Sequence, residues 1–214
     1  MNTFEQLSNN KGTISSTLGK ALAQKVLHGQ IGILSECIEL ACYELTRPNQ
    51  KNIRAGAAKV LELVAEKRPE LVAPYLEKLL PALSVTEPQT RWMIIRVMGS
   101  CAHLNKAVAQ KAIAHAERYI DSKEGLCISS SADLFLGDFG AISEKEAHKV
   151  FPILERSTEN AIENEQDWLL EAFYMVFPNL GKTEQETAIR FAERYQYSTR
   201  KSTQQRAMKI LRRR

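Results

Sequence analysis

No stretch of this chain approaches the roughly 18 consecutive apolar residues that a membrane-spanning helix needs. Residues 1–10 are polar and acidic, unlike the basic-then-apolar start of a secretory leader, so secretion is not expected. Cysteines are few: Cys37, Cys42, Cys101 and Cys127, at spacings that fit no zinc or redox motif. All four fall in apolar helical patterns and read as reduced core thiols, which favours a cytoplasmic setting. The histidines, His28, His103, His115 and His148, show no ligand spacing on one helix face, and neither a metal nor a cofactor is expected. Catalytic motifs are missing too. There is no phosphate-binding loop, no Gly-x-Gly-x-x-Gly, no His-Glu-x-x-His and no Gly-x-Ser-x-Gly. Ser198-Thr199-Arg200-Lys201 fits Ser-x-x-Lys only by coincidence, since its companion motifs are absent.

Period-two alternation and hairpin signals are equally scarce, which argues against a sheet. What the chain does contain is apolar residues at i, i+3, i+4 and i+7, segment after segment. These predict helices over 16–28, 31–46, 52–67, 70–83, 88–103, 106–120, 124–139, 143–158, 164–179, 183–196 and 201–212. Short links such as Arg47-Pro48-Asn49-Gln50, Arg68-Pro69 and Glu87-Pro88 join them.

Shifting the chain against itself by 37 or 38 residues aligns the odd-numbered helices. One column reads Ala57, Ile94, Ala132, Leu170, Ala207; a second, Leu22, Val60, Val97, Phe135, Phe173, Ile210; a third, Val26, Val64, Cys101, Phe139, Phe177. The even-numbered helices align through Ile113, Phe151, Ile189 and through Ala41, Leu79, Ala116, Leu154, Ala192. A Glu-Arg signature recurs every 38 residues, as Ala116-Glu117-Arg118-Tyr119, Leu154-Glu155-Arg156-Ser157 and Ala192-Glu193-Arg194-Tyr195.

Each unit resembles the two-helix hairpin of HEAT-repeat (armadillo-like) proteins, most closely at residues 52–61 followed by 69–76. The fold class this implies is all-α: an α-α superhelix, or solenoid, of about five helix pairs plus a terminal helix. The units span about 16–46, 52–83, 88–120, 124–158 and 164–196, with a capping helix at 201–212, in a single repeat domain over 16–214. Residues 1–15 are set apart as a polar segment and a candidate for disorder. One such hairpin is too small to be stable alone, so its apolar stripe needs its neighbours. The resemblance also implies that the second helix of each pair lines the concave surface.

Three groups of residues are candidates for function. Arg118, Arg156 and Arg194 on second helices could form a cationic stripe, with Lys111, His115, His148 and Lys149 nearby; alternatively each Arg pairs with a repeat Glu and the field cancels. The second group is C-terminal. Residues 194–214 hold eight basic side chains and no acidic one, while the remainder holds 21 basic and 25 acidic. Arg200, Lys201, Arg206, Lys209, Arg212, Arg213 and Arg214 form a basic patch able to meet phosphate backbones or an acidic partner, or a solvated cap suited to its own helix dipole. Little aromatic interleaving is present beyond Tyr195 and Tyr197. The third group is a polar pocket of Arg96, Asp133 and Glu171, in which two half-buried carboxylates could act as acid and base or be satisfied ion pairs. Gly137, aligned with Gly99, suits close helix approach, and Trp92 and Trp168, two repeats apart, cover the core or form binding platforms.

Together these features point to a non-enzymatic scaffold holding a protein partner on a concave face. The alternative is nucleic-acid binding. The chain is similar in size and helical repeat to HEAT-like DNA alkylation-repair glycosylases, which combine groove-facing tryptophans with a catalytic aspartate. Here Arg96 follows Trp92 by four residues and Ala172 follows Trp168, leaving Asp133 or Asp167 to substitute.

Overall fold

Proline placement decides where several helices begin and break. Pro69 and Pro88 occupy first-turn positions, where the missing amide costs nothing. Pro74 and Pro81 interrupt the segment expected as one helix over 70–83, because each removes an amide donor inside the helix. A computed structural model describes residues 2–10, 17–47, 50–122, 124–161 and 165–213. The expected features at 11–16, Pro48-Asn49 and Arg214 lie outside the described residues. All regular elements within them are helical.

The repeat domain expected over 16–214 divides into two compact units, Met1–Ala112 and Ile113–Arg214. The first contains α1 (Thr3–Asn9), α2 (Thr17–Leu27), α3 (Ile31–Leu40), α4 (Lys51–Lys67), α5 (Pro69–Val72), α6 (Leu76–Leu79), α7 (Pro88–Ser100) and α8 (Lys106–Lys111). Short 3-10 turns at Ala73–Tyr75 and Leu80–Ser84 flank α6. The second contains α9 (Ile113–Ser122), α10 (Leu126–Gly140), α11 (Glu144–Asn160), α12 (Gln166–Val176), α13 (Lys182–Glu193) and α14 (Lys201–Leu211). The helix expected over 106–120 is broken at Ala112 into α8 and α9; no proline or glycine explains that break.

Every residue in the three odd-helix columns is buried, from Leu22 and Val26 to Ala207 and Ile210. The even-helix column through Ala41, Leu79, Ala116, Leu154 and Ala192 is buried as well. In the remaining column Phe151 is buried as expected, but Ile113 and Ile189 are half-exposed and the alanines before them, Ala112 and Ala188, fill the interior instead. Two thiols also depart from expectation. Cys37 and Cys101 are core residues whose thiols burial pushes up to about 12, but Cys42 is half-buried, and Cys127, in the first turn of α10, is exposed.

The N-terminal segment set apart as polar belongs in part to the fold. Asn2 caps α1 and forms a capping box with Glu5. Leu7 is buried over Gly56, where a Cβ would come within 2.7 Å of the Leu7 side chain. The Thr3 amide donates to Glu36 at 2.9 Å, and Phe4 meets Tyr43 edge-on.

Within each unit the two helix layers differ in spacing. First helices pack closely side by side, α2 and α4 with α7 in one unit, α10 and α12 with α14 in the other. Second helices α9, α11 and α13 meet far less, as do α3, α6 and α8. Gly137 allows the close approach, since a Cβ there would sit 2.9 Å from the Ala172 backbone. Between second helices, long charged side chains bridge the gaps.

Candidate functional site

Those bridges engage three members of the expected cationic stripe, Arg156, His148 and Lys111. Arg156 on α11 pairs with Glu117 at 2.7 Å and Asp121 at 3.4 Å, both on α9. His148 sits between Glu184 of α13 at 2.7 Å and Glu144 at 3.4 Å, and these carboxylates, Glu184 first, raise its pKa. In the N-terminal unit Lys111 pairs with Glu77 at 2.8 Å, and Lys78 with Glu39 at 2.9 Å. Arg118 is exposed; it donates to the His115 ring nitrogen at 2.9 Å and lies over Tyr119. Arg194 is exposed over Phe191, and Lys149 is exposed. A shallow groove of about 490 Å³ between α11 and α13 places Arg156, Arg190 and Arg194 among Glu155 and Glu159. The second-helix layer thus carries interleaved charges of both signs, not a continuous positive track.

The basic C-terminal helix is also different from a free cationic patch. α14 lies along α12 in the same direction, and its basic side chains meet a complementary row on α12. Asp167, buried, accepts from Ser202 Oγ at 2.7 Å and from Thr203 Oγ1. Arg200 and Arg206 approach the same carboxylate at 3.3 and 3.5 Å. One turn on, Glu171 takes Arg206 Nε at 3.1 Å and Lys209 Nζ at 3.5 Å. The row continues on aromatic faces: Arg206 lies 4.9 Å from the Trp168 ring centre, and Tyr174 holds Lys209 at 5.3 Å and Arg213 at 4.0 Å. Positions 167, 171 and 174 on α12 therefore face 202, 206 and 209 on α14 and 213 just beyond its end, the i, i+4, i+7 spacing of one helix stripe. Lys201 and Arg212 are exposed outside the seam.

The proposed pocket of Arg96, Asp133 and Glu171 does not come together as a carboxylate pair. Asp133 is buried and accepts from Ser157 Oγ at 2.9 Å. Burial pushes its pKa up to about 7; the Ser157 bond works against this and the charge of Glu165 adds to it. Glu165, not Glu171, is its carboxylate neighbour, and Glu165 accepts from Ser129 Oγ. Glu171 faces α14 instead. Arg96 is half-buried on α7 in the other unit. Among the described residues no group of three His, Cys, Asp or Glu is placed to hold a metal ion, and no helix is long and apolar enough to cross a membrane.

A buried polar column went unrecognised in the sequence, although Asp167 was named there for another role. Arg54, Ser129 and Asp167 lie one or two periods apart near the starts of α4, α10 and α12, and each is buried with a partner from the next helix or the turn before it. The signal was a polar residue recurring just inside each helix start, hidden because its type changes from repeat to repeat.

On the first-helix layer of Ile113–Arg214, Trp168 of α12 stays open to solvent. Its indole is 37% exposed, and Met208 on α14 is 36% exposed.

No protein-family model matches the chain, and no match is found among curated proteins. Solved structures do match. One engineered protein superposes with a TM-score of 0.67 at 15% identity, covering 99% of this chain and 98% of its own. A designed armadillo repeat protein in complex with the peptide (KR)4 gives 0.64 at 14% identity, covering 98% of this chain and 90% of its own. A computationally designed armadillo repeat protein for modular peptide recognition gives 0.62 at 14%, with coverage of 97% and 96%. The chain thus has an all-α helical-repeat fold of the armadillo and HEAT kind.

Proposed function

We propose that this chain is a non-enzymatic protein-interaction module, and that it holds a segment of its partner on the first-helix layer of Ile113–Arg214, across α12 and α14. The observation that carries this reading is Trp168, an exposed indole braced by Arg206 at 4.9 Å on a closely packed layer. Tryptophan and arginine are the side chains that most often dominate interface energies. A ring already held in place loses little freedom on binding. Two proteins of like fold are designed armadillo repeat proteins, one in complex with the peptide (KR)4 and one designed for modular peptide recognition. Their likeness is in fold, so they support the reading without supplying the ligand.

Acid-base catalysis gains no support: Asp133 turns inward to Ser157 while Glu171 is engaged by Arg206 and Lys209. Asp167, the other aspartate considered for a glycosylase-like role, is buried under Ser202, Thr203 and two arginines. The nucleic-acid alternative rested on uncancelled C-terminal charge, and Asp167 and Glu171 now answer part of it. The free thiols favour a cytoplasmic setting for the module, which fractionation of expressing cells would test.

A displayed library of random linear peptides, selected on the full chain, tests the function. Selected peptides are expected to lose about tenfold or more in affinity for Trp168→Ala, the range of an interface anchor. A library that returns no binder, or binders indifferent to Trp168→Ala, overturns the reading.

A further inference from the structure

We infer that the segment bound on this layer is acidic: Asp or Glu side chains interspersed with apolar ones. The inference rests on the interaction reading above and adds the chemistry of the partner.

Charge supplies the first argument. The turn before α14, α14 itself and the two residues that follow it bring Arg200, Lys201, Arg206, Lys209, Arg212 and Arg213 to a region whose seam contains two carboxylates, Asp167 and Glu171. Six cations against two carboxylates leave an excess of four positive charges. Residues 1–193, by contrast, carry 21 basic and 25 acidic side chains. The positive field is therefore local to this end of the layer.

The second argument is how the cations are held. Arg213 lies over Tyr174 with its guanidinium carbon 4.0 Å from the ring centre, and among the described residues no carboxylate meets it. A guanidinium resting on a ring spends its face on the π-system and keeps N–H groups around its edge for a carboxylate. Lys209 is shared between Glu171 and the same ring. These side chains are braced rather than free, so a bound carboxylate meets donors that have already lost much of their freedom.

The third argument separates peptide from nucleic acid. Single strands gain sequence-tolerant affinity by stacking bases on open aromatic faces. Here Trp168 and Tyr174 each already carry a cation on a ring face. What stays exposed beside the cations, the rest of the indole and the Met208 thioether, suits aliphatic side chains.

Fluorescence anisotropy on the full chain tests this with three probes: a short labelled peptide of Glu and Leu, its Lys and Leu counterpart, and an oligothymidylate of the same net charge as the first. The Glu/Leu peptide is expected to bind best. Its affinity should fall as salt rises from about 50 to about 300 mM, and drop about tenfold or more in Arg212→Glu/Arg213→Glu. Both substitutions lie at exposed positions at the end of α14, and unchanged circular dichroism and melting would certify the fold. Equal binding of the Lys/Leu peptide, tighter binding of the oligonucleotide, or indifference to the charge reversal overturns the inference. If library-selected peptides depend on Trp168 but show no excess of Asp and Glu, the acidic inference falls while the interaction reading stands. If neither library nor Glu/Leu peptide binds, both fall.

Discussion

Arg54 grips Glu87 with two parallel bonds, Nε to Oε1 at 2.7 Å and Nη2 to Oε2 at 2.8 Å, and both side chains are buried. The remaining guanidinium nitrogen, Nη1, donates to the carbonyls of Tyr43, Glu44 and Arg47, in the turn that follows α3. Thr90 Oγ1 adds a bond to Glu87 at 2.8 Å. One arginine therefore ties α4 both to the preceding turn and to the entry of α7. Burial alone would raise the Glu87 pKa, but the bonds from Arg54 and Thr90 outweigh it and hold the carboxyl below its usual range.

Breaking that grip is expected to be costly. Arg54→Ala leaves a buried carboxylate and three turn carbonyls without their donor, and should lower stability by about 3–5 kcal/mol in urea unfolding. Replacing both partners, as Arg54→Met with Glu87→Leu, should recover much of the loss, because no charge is then stranded. The pH response has a definite sign. Glu87 is held low, so its contribution is present at neutral pH and is lost as pH falls through its folded value. The double variant should lose that part of the acid sensitivity, and an Arg54→Ala variant as stable as the parent would contradict the role given to the pair.

Asp133 has the opposite sign. Its carboxyl ionises near 7 in the fold against 3.8 ordinarily, so the folded chain retains a proton that the unfolded chain releases. Stability should therefore decline as pH rises between those two values and level off above. Asp133→Asn keeps an acceptor for Ser157 while removing the buried charge. The variant is expected to exceed the parent at pH 8 by an amount on the order of 1–4 kcal/mol, and to show a flatter profile below it. Parallel melting curves for the two proteins from pH 5 to pH 8 would refute the assignment.

His148 offers a local version of the same test. Proton NMR of its ring should give a pKa above the ordinary value of 6.5, because Glu184 and then Glu144 stabilise the imidazolium. Glu184→Gln should bring it down further than Glu144→Gln. A histidine pKa raised in the fold stabilises below the unfolded value, and that contribution is lost as pH climbs through the folded one. An unchanged titration in Glu184→Gln would remove the α11–α13 bridge from solution.

How much of this was legible beforehand depended on the kind of interaction. Burial of the first-helix columns could be read from residues such as Phe135 and Val60 because packing repeats strictly with period. Ile113 and Ile189 misled because a large apolar residue and the small alanine before it sit on adjacent wheel positions, and the closer hairpin crossing takes the alanine. The polar column of Arg54, Ser129 and Asp167 was invisible to a search for like residues, since each repeat solves the same burial with different chemistry. Nor could composition reveal that α14 answers Asp167, Glu171 and Tyr174, because complementarity between two helices needs their register. The close approach at Gly137, by contrast, was legible, because a glycine on an apolar helix face leaves room for a neighbouring backbone.

Gly137 tests that spacing directly. In an exposed helix interior Gly→Ala gains up to about 1 kcal/mol from propensity. At this position a Cβ would stand 2.9 Å from Ala172 Cα and 3.1 Å from Met175 Sδ. Met175 can swing aside, but the Ala172 backbone cannot move without shifting α12. Overpacking should then prevail, and Gly137→Ala is expected to lose about 1–3 kcal/mol net, as read by thermal melting. Adding Met175→Ala should rescue little, because the nearest obstacle is backbone. A Gly137→Ala protein that melts higher than the parent would mean that α10 and α12 lie farther apart than the close approach at Ala172 requires.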